Sequence, residues 1–552
     1  MRKIKIIISA FLLLFVGVFT LASCGGYTGG VSEDDLTITL DSKTSKSITL
    51  KVTFNAKNTN LSSGTSKVHI KSYLVDGENE TYKADNSVSF GSGITTTQFS
   101  SLTPASTYRF RVYVTASGTD YELFTASDKK ITYKTTSSTP TEADAVEIKT
   151  VEDFTNMKND SSAYYKLMND IDFAGVTLAQ KFTDSVPFTG VFDGQGFTLK
   201  NFVLYSAKYT GLFEYTKGAE IKNVKVDNAS IGTASTFSIS QSNVGALVGY
   251  GYRTIVDNCE LNNVKLKVSP SSYSSGKTFV GGVIGCGDTV TITNVKLTDA
   301  KVEIYQARGE VATGLFAGVI TNAGLKNKIV CDNCFATGEL LAYCYYNTST
   351  EGETSVGGFV GKAANYDPIQ NSFVNVDIKV TKYVTSSTSY DKFNLYVGGF
   401  VGTKPNVSGG GLNVKKSVTV NSIKLYAAQL TGEETEEPDF TDKQMTAGYV
   451  SENKEYLTYA GGFLASTGLG QIEGIDTCAA VFKDNTNPIY VNAKKEITED
   501  EETKTLVFEG EFSGYTQVEE NLAKCFTSRL DGADFTVFSE AIQDAITSAI
   551  AE

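Results

Sequence analysis

Few side chains in this 552-residue sequence could catalyse a reaction or hold a metal, and histidine is the scarcest of them. The only histidine is His69, and no HExxH sequence occurs. Zinc peptidases of that type, and hydrolases with a histidine-dependent serine or cysteine triad, need histidine at the reacting atoms. The composition therefore excludes both classes, and we interpret His69 as an ordinary strand residue.

A pair of cysteines, Cys331 and Cys334, has the CxxC spacing of zinc and thiol redox sites. A structural interpretation is stronger, because Cys334 occupies the same position of a sequence repeat as Cys259 and Cys478. In an extended segment, side chains three residues apart point to opposite faces and cannot hold one metal ion. We therefore predict no metal site and no cofactor, and we expect Cys259 and Cys334 to be buried thiols without a disulfide.

Three carboxylates, Asp170, Asp172 and Asp193, precede the repeats. Paired carboxylates can hydrolyse a glycosidic bond, and carboxylate clusters can bind calcium. However, Asp193 and Gly194 form a typical turn pair, in which aspartate has a local structural role. We interpret all three as turn residues and assign no catalytic residue.

The bulk composition favours a large all-β protein that does not bind nucleic acid. The net charge is −13, and phosphate binding requires clustered lysine and arginine. The chain contains 50 glycines and 29 tyrosines but few helix-length periodic segments. Its length implies at least two folded units.

The first 23 residues have the pattern of a bacterial secretory signal, with a basic start and an apolar run over Ile6–Val18. The following Leu21–Cys24 resembles a lipobox, which implies that Cys24 becomes the lipidated first residue, with residues 24–32 as a tether. A signal anchor or an ordinary signal peptide is the alternative. The lipobox predicts an extracytoplasmic, surface-exposed protein whose acyl chains anchor it to a bacterial membrane.

Residues 33–134 show short alternating strands such as Ser47–Phe54. The LxPxxxY sequence at Leu102–Tyr108 resembles the tyrosine corner of fibronectin type III domains, and implies a β-sandwich that serves as a spacer. That family often has a core tryptophan, which this chain lacks, so Leu50 or Val52 must fill the space. Residues 135–145 are polar and are predicted to be a linker.

A six-residue motif then recurs seven times, with glycine at its second position and Phe, Leu or Val at its fourth. A second segment follows each copy, and it has an apolar or cysteine start, a polar pair and a small residue. Two short β segments per repeat that stack on neighbouring repeats predict a parallel β-helix, with glycine at the bends and the fourth residue inside. The second-position glycines are Gly211, Gly245, Gly281, Gly314, Gly357, Gly398 and Gly461.

These repeats resemble the GLUG motifs of bacterial surface proteins, and Tyr164–Phe173 with Phe188–Phe202 resembles the usual entry into such β-helices. The resemblance implies a right-handed parallel β-helix, which we place at residues 146–495. Val151–Asp160 is predicted to form a capping helix. Residues 496–552 are predicted to be a C-terminal segment ending in a short helix, because Val537–Glu552 has helical spacing.

Two functions remain open from the sequence. The leading expectation is a non-enzymatic adhesin or scaffold that binds a glycan or a surface protein, and the alternative is a β-helix enzyme, a lyase or glycoside hydrolase, that degrades polysaccharide. A cleft with two carboxylates and stacked aromatic rings would favour the enzyme, whereas a smooth helix with variable loops would favour the binder. The long interval before the seventh motif supplies the candidate contact residues, which are Tyr449, Tyr456 and Tyr459.

Overall fold

The chain divides into two compact units, Met1–Thr136 and Ser137–Glu552. The predicted signal peptide, tether and lipidation residue Cys24 lie outside the described residues. The structure is a computed structural model and describes residues 32–54, 67–89, 93–116, 119–135, 141–174, 176–205, 208–232, 241–268, 276–305, 310–322, 330–344, 352–384, 393–404, 411–429, 458–466, 472–474, 477–483, 489–492, 496–499, 502–505, 507–510, 513–515, 526–528, 536 and 538–551.

The first unit consists of two antiparallel sheets around one apolar core. The alternation of apolar and polar residues explains why these segments form strands, because every second residue from Ile48 to Phe54 is buried. A short 3-10 helix, Glu33–Asp35, precedes the first strand. One sheet contains Leu36–Lys43, Ile48–Phe54 and Gly93–Phe99, and the other contains Lys67–Asp76, Asn79–Ser89, Thr107–Ala116, Thr119–Leu123 and Ile131–Lys134.

Tyr108 is buried in this core, and its hydroxyl accepts a hydrogen bond of 2.7 Å from the backbone N–H of Thr103. The phenol therefore secures the segment that leads into its own strand. Leu50 and Val52 are both fully buried in the same core, as expected for a sandwich without tryptophan.

The second unit is a stack of parallel-paired coils, and this confirms the predicted β-helix-like repeat architecture. The expectation of two β segments per repeat is wrong, because a complete coil has four. The motif is itself a bend between two strands, and the second segment contains another bend. We name the four sheets A, B, C and D in the order in which a coil visits them.

Sheets A and B flank the glycine motif, with one strand of each per coil. Sheet A contains Tyr209–Thr210, Gln241–Gly245, Lys277–Gly281, Glu310–Gly314, Gly352–Gly357, Phe393–Gly398, Thr458–Gly461 and Val507–Gly510. Sheet B contains Phe213–Lys217, Val248–Tyr252, Ile284–Asp288, Ala317–Asn322, Val360–Asn365, Val401–Thr403, Leu464–Ser466 and Ser513–Tyr515.

Sheets C and D complete each coil, and D has the longest strands. Sheet C contains Val146–Ile148, Tyr164–Leu167, Val191–Asp193, Glu220–Lys222, Ile255–Asp257, Thr291–Thr293, Cys331–Asp332, Ile369–Gln370, Leu412–Lys415 and Ile472–Glu473. Sheet D contains Ile171–Asp172, Thr177–Leu178, Thr198–Lys200, Val203–Tyr205, Lys225–Gly232, Glu260–Val268, Lys296–Tyr305, Phe335–Cys344, Phe373–Val384, Val418–Gln429, Ala479–Phe482, Ile489–Asn492 and Phe526–Ser528.

The fourth residue of each motif is fully buried, as predicted. Four phenylalanines at this position stack ring on ring in successive coils, with centroid distances of 4.4, 4.8 and 4.8 Å. They are Phe316, Phe359, Phe400 and Phe463. The glycines are required by the tightness of the bend, because a Cβ on Gly357 would lie 1.9 Å from the carbonyl oxygen of Val360.

The bend between sheets C and D uses a left-handed residue, most often asparagine. Asn333 has φ +54°, and its side chain donates to Asn294 Oδ1 of the previous coil at 2.9 Å. This bend corrects the prediction for the neighbouring thiols. Cys331 and Cys334 are both fully buried inside, because the left-handed residue between them breaks the strand alternation.

Helices cover the first coils and one outer face of the stack. Helix α1, Val151–Asn156, begins where Thr150 and Asp153 form a reciprocal capping box, and it buries Phe154 in the core. Helix α2, Glu540–Ala551, packs Ile542 and Ile546 against the outer face of sheet D. Short 3-10 helices occur at Glu142–Asp144 and Met157–Asn159.

The parallel sheets continue past residue 495, where the sequence analysis places the end of the β-helix. Val507–Gly510 pairs with the sheet A strand of the seventh motif, and Ser513–Tyr515 continues sheet B. The sequence EGEFSG from Glu509 is therefore an eighth motif, with Gly510 in register with Gly461. A small antiparallel hairpin, Glu496–Glu499 with Glu502–Thr505, precedes it.

Candidate functional site

The glycine motif leaves a row of side chains on the outside of its bend, separate from the main core, because the bend points inward. A Cβ on Gly282 would lie 2.5 Å from the Leu297 side chain, and a Cβ on Gly358 would lie 2.8 Å from that of Val376. Leu297 and Val376 belong to sheet D, on the opposite side of the core. The apex of the motif is therefore pressed against sheet D, and sheets A and B diverge from it.

The residue just before each motif lies in sheet A and the residue just after it lies in sheet B, and the two face each other on the outside of the bend. Phe279 and Ala312 of sheet A pack with Cys286 and Val319 of sheet B, in a cluster separate from the main core. We call this surface the outer cleft. From Tyr209 to Tyr459 it covers six coil-to-coil steps, or about 29 Å at ~4.8 Å per step.

One end of the outer cleft is a group of three tyrosines, Tyr209, Tyr215 and Tyr250, which we call the first tyrosine segment. The rings of Tyr215 and Tyr250 stack at 4.9 Å, and Tyr209 meets Tyr215 edge-on at 4.9 Å. Burial, more than any other factor, raises the pKa of Tyr250. The rings are half-buried or buried, so that they present both an apolar face and a polar hydroxyl.

The centre of the outer cleft holds a network of four charged side chains, which we call the ionic centre. Lys362 has a side chain only 5% exposed and contacts Glu310 at 2.7 Å and Glu353 at 2.9 Å. Lys277 contacts Glu310 at 2.7 Å. Burial tends to raise the pKa of Glu310, but the two lysines outweigh it and lower that pKa below its ordinary value.

The other end of the outer cleft has a second pair of stacked rings, Tyr396 and Tyr459, which we call the second tyrosine segment. Their centroids are 5.0 Å apart and their planes differ by 8°. Burial raises the pKa of Tyr396, and the nearby Glu353 carboxylate raises it further. Tyr459 is one of the three predicted contact residues, whereas Tyr449 and Tyr456 lie outside the described residues.

The three carboxylates considered from the sequence all make local structural contacts. Asp172 accepts from the Ala174 N–H at 2.9 Å, and Asp170 accepts from the Thr198 N–H at 2.9 Å. Asp193 accepts from the Gln195 N–H and from the side chain of Asn223. Burial raises the pKa of Asp193, but these hydrogen bonds outweigh it, so its pKa is lowered.

The remaining chemical candidates also have structural surroundings. His69 lies in a strand of the sandwich, 3.3 Å from Asp85. Burial raises the pKa of the Cys259 thiol to about 12. Burial also raises the pKa of the Cys331 thiol above its ordinary value. Among the described residues, no group of three or more His, Cys, Asp or Glu side chains could hold a metal ion, and no helix is long and apolar enough to cross a membrane.

The sequence analysis missed most of the outer cleft, including Asn243, Glu310, Glu353 and Lys362. These residues vary in type from coil to coil, so they leave no repeating signal. Their positions relative to the motif do repeat, because cleft residues stand immediately before it, three residues before its start and immediately after it. That spacing would have located the cleft if the motif had been interpreted as an inward bend.

Comparison with known proteins gives no family, and the structural likenesses described here are distant. No family model matches the chain, and no curated protein matches it. The sensor domain of the anti-sigma factor RsgI4 of Pseudobacteroides cellulosolvens is similar at 18% identity over 19% of this chain and 79% of that chain, with a TM-score of 0.14. The catalytic domain of a GH87 alpha-1,3-glucanase in complex with nigerose is similar at 11% identity over 74% of this chain and 97% of that chain, with a TM-score of 0.15. TM-scores this low do not establish a common fold.

Proposed function

We propose that this protein is a non-enzymatic, surface-anchored adhesin or binding scaffold that binds a glycan chain along the outer cleft. The two tyrosine segments carry this proposal. Aromatic rings offer flat apolar faces with a polar edge, which suits a sugar ring and its hydroxyl groups. The rings stand on strands of a continuous hydrogen-bonded stack, and such a rigid support lowers the entropic cost of binding.

The rest of the chain would place this cleft outside the cell. Cys24 would carry the lipid anchor, the sandwich would be a fibronectin type III-like spacer, and the stack would be a right-handed β-helix of GLUG type. The tyrosine corner at Tyr108 and the buried Leu50 and Val52 support the sandwich assignment. The eight in-register glycine motifs support the repeat assignment.

A second candidate is a polysaccharide-degrading enzyme, and the ionic centre is the observation that favours it. Glu310 and Glu353 are register partners in adjacent coils, so that two carboxylates face a cleft with stacked rings. A glycoside hydrolase of this kind needs one carboxylic acid with a raised pKa to protonate the leaving group. Glu310 has a lowered pKa, and Lys362 is paired with both carboxylates. This arrangement favours binding over acid catalysis.

The test is a binding screen of the full-length chain in detergent against soluble polysaccharides, with product release assayed in parallel. We expect binding without release of oligosaccharides. Replacement of Tyr396 and Tyr459 by alanine should weaken the binding. Release of oligosaccharides that is lost in Glu310→Gln and Glu353→Gln variants, both still folded, would establish the enzyme instead.

The anchor has its own test in a bacterial host that processes lipoproteins. The parent chain should partition into the detergent phase, and a Cys24→Ala variant should partition into the aqueous phase. If both variants partition alike, Cys24 is not lipidated and the chain is held or released in another way.

A further inference from the structure

Asn243 is a buried amide inside the first tyrosine segment. In sheet A it is the register neighbour of Tyr209 on one side and of Phe279 on the other, and both neighbours contribute to the outer cleft. Its exposure is 0%. Within the part of the chain that the structure describes, neither its Oδ1 nor its Nδ2 atom has a hydrogen-bond partner.

An amide in this situation works against the fold. Nearly all buried polar side-chain atoms in native proteins have partners, because an unpaired one loses its hydration without compensation. A leucine has the same number of side-chain heavy atoms in the same branched order and carries no polar atom that needs a partner. A molecule that enters the outer cleft and pairs with both atoms of the amide would offset this cost.

The chemistry of the site defines that molecule. An amide offers a donor and an acceptor side by side, and adjacent hydroxyl groups of a sugar can pair with both at once. A carboxylate can accept from Nδ2 but would be repelled by Oδ1. Lys208, the cation 5.0 Å from the centre of the Tyr209 ring, is already paired with Asp184 at 3.0 Å, and this pairing reduces its attraction for an acidic sugar.

We propose that Asn243, with the rings of Tyr209, Tyr215 and Tyr250, forms a subsite for an uncharged sugar residue, and that Asn243 determines this specificity. The inference rests on the proposed glycan-binding function and assigns its ligand class. Tyr209 is nearly buried against Tyr215 and Tyr250, so its ring must turn aside as the sugar enters. The amide then pairs with two hydroxyl groups while the stacked rings of Tyr215 and Tyr250 contact the sugar from the sheet B side.

The experiment measures binding of the full-length chain in detergent to neutral polysaccharides (a β-glucan, a mannan and a xylan) and to uronate polymers (polygalacturonate and alginate). We expect binding to a neutral polymer, weakened about tenfold in Asn243→Leu because a sugar hydroxyl loses its partner. Asn243→Asp should weaken it as well, since the carboxylate has no donor. The matched control is Asn375→Leu, which changes another buried asparagine with an unpartnered Oδ1 in sheet D and should leave binding unchanged.

The outcomes separate this inference from the proposed function. Neutral-polymer binding that Tyr396→Ala weakens but Asn243→Leu leaves unchanged would overturn the subsite and leave the cleft function standing. Binding confined to uronate polymers would also overturn it. Binding to no polymer would overturn the proposed function and the subsite together.

A melting experiment without ligand tests the premise. Asn243→Leu should melt at the same temperature as the parent or higher, because it removes an unpaired buried amide. A clearly lower melting temperature in both Asn243→Leu and the smaller Asn243→Val would mean that Asn243 has a partner within the fold, and would overturn the assignment.

Discussion

Two columns of stacked rings run along the same repeats of this protein. The inner column consists of Phe316, Phe359, Phe400 and Phe463, and all four are fully buried. The outer column consists of two separate pairs, with Tyr215 on Tyr250 in sheet B near one end and Tyr396 on Tyr459 in sheet A near the other. In both columns, the parallel pairing places each residue on its counterpart in the next coil. The inner column faces the core, whereas the outer column faces the cleft.

This difference explains why the repeats are regular inside and variable outside. A residue in the inner column must be apolar in every coil, because any other choice buries an unpaired polar group. In contrast, the cleft position immediately before the motif can be tyrosine, asparagine, phenylalanine, alanine or serine without breaking the stack. The cleft can therefore carry a ligand-specific pattern on a fixed frame.

The sharpest test of the comparison is to remove one ring from each column. Phe400→Ala should lower the free energy of unfolding by ~3–5 kcal/mol, because it leaves a cavity between two stacked rings. Phe400→Asp should cost more, since it buries a charge. Tyr396→Ala, four residues earlier in the same coil, is the matched control and should cost clearly less. Chemical denaturation measures all three variants, and equal losses for Phe400→Ala and Tyr396→Ala would mean that the two columns do not differ.

The bend that separates the columns can be broken directly. A side chain at Gly357 would meet the Val360 carbonyl oxygen at 1.9 Å and the Gly402 nitrogen at 2.6 Å, and both are backbone atoms that cannot move aside. We expect Gly357→Val to cost about 3 kcal/mol of unfolding free energy. Gly232→Ala is the control, because its nearest contact would be 3.6 Å. A neutral Gly357→Val would show that the motif is not a tight inward bend.

The sequence predicted the fold best at positions where every repeat needs the same type of residue. The spacing of Gly357 and Gly398 and the apolar character of Phe359 and Phe400 predicted the stack and its interior. The four-strand coil was missed because the left-handed Asn333 and its equivalents bend a segment that looks like a continuous strand. The ionic centre was missed because Lys362 and Glu310 are distant in sequence and meet only across the cleft.

A smaller effect should appear when the inner thiols ionise. Burial raises the pKa of Cys259 from 9.0 to about 12 in the folded chain. The folded state then keeps a proton that the unfolded state loses, so stability falls as pH rises from 9 towards 12. At pH 10.5 the loss from this thiol should be about 2 kcal/mol. Chemical denaturation at pH 8 and at pH 10.5 measures the loss of unfolding free energy between the two values, and this loss should be smaller for Cys259→Val than for the parent. Equal losses would mean that the Cys259 thiol is exposed to water.

The smallest expected effect lies in the outer column and concerns binding rather than folding. Tyr396→Ala should weaken binding to the polysaccharide found in the screen about fivefold, or by about 1 kcal/mol, because one aromatic face is lost. Tyr459→Ala should do the same, and the double variant should lose less than the sum, since each ring holds the other in place at 5.0 Å. Titration calorimetry measures all three, with Tyr396→Phe as the control that keeps the ring. Additive losses would mean that the two rings bind independently, and unchanged affinity would remove the second tyrosine segment from the binding surface.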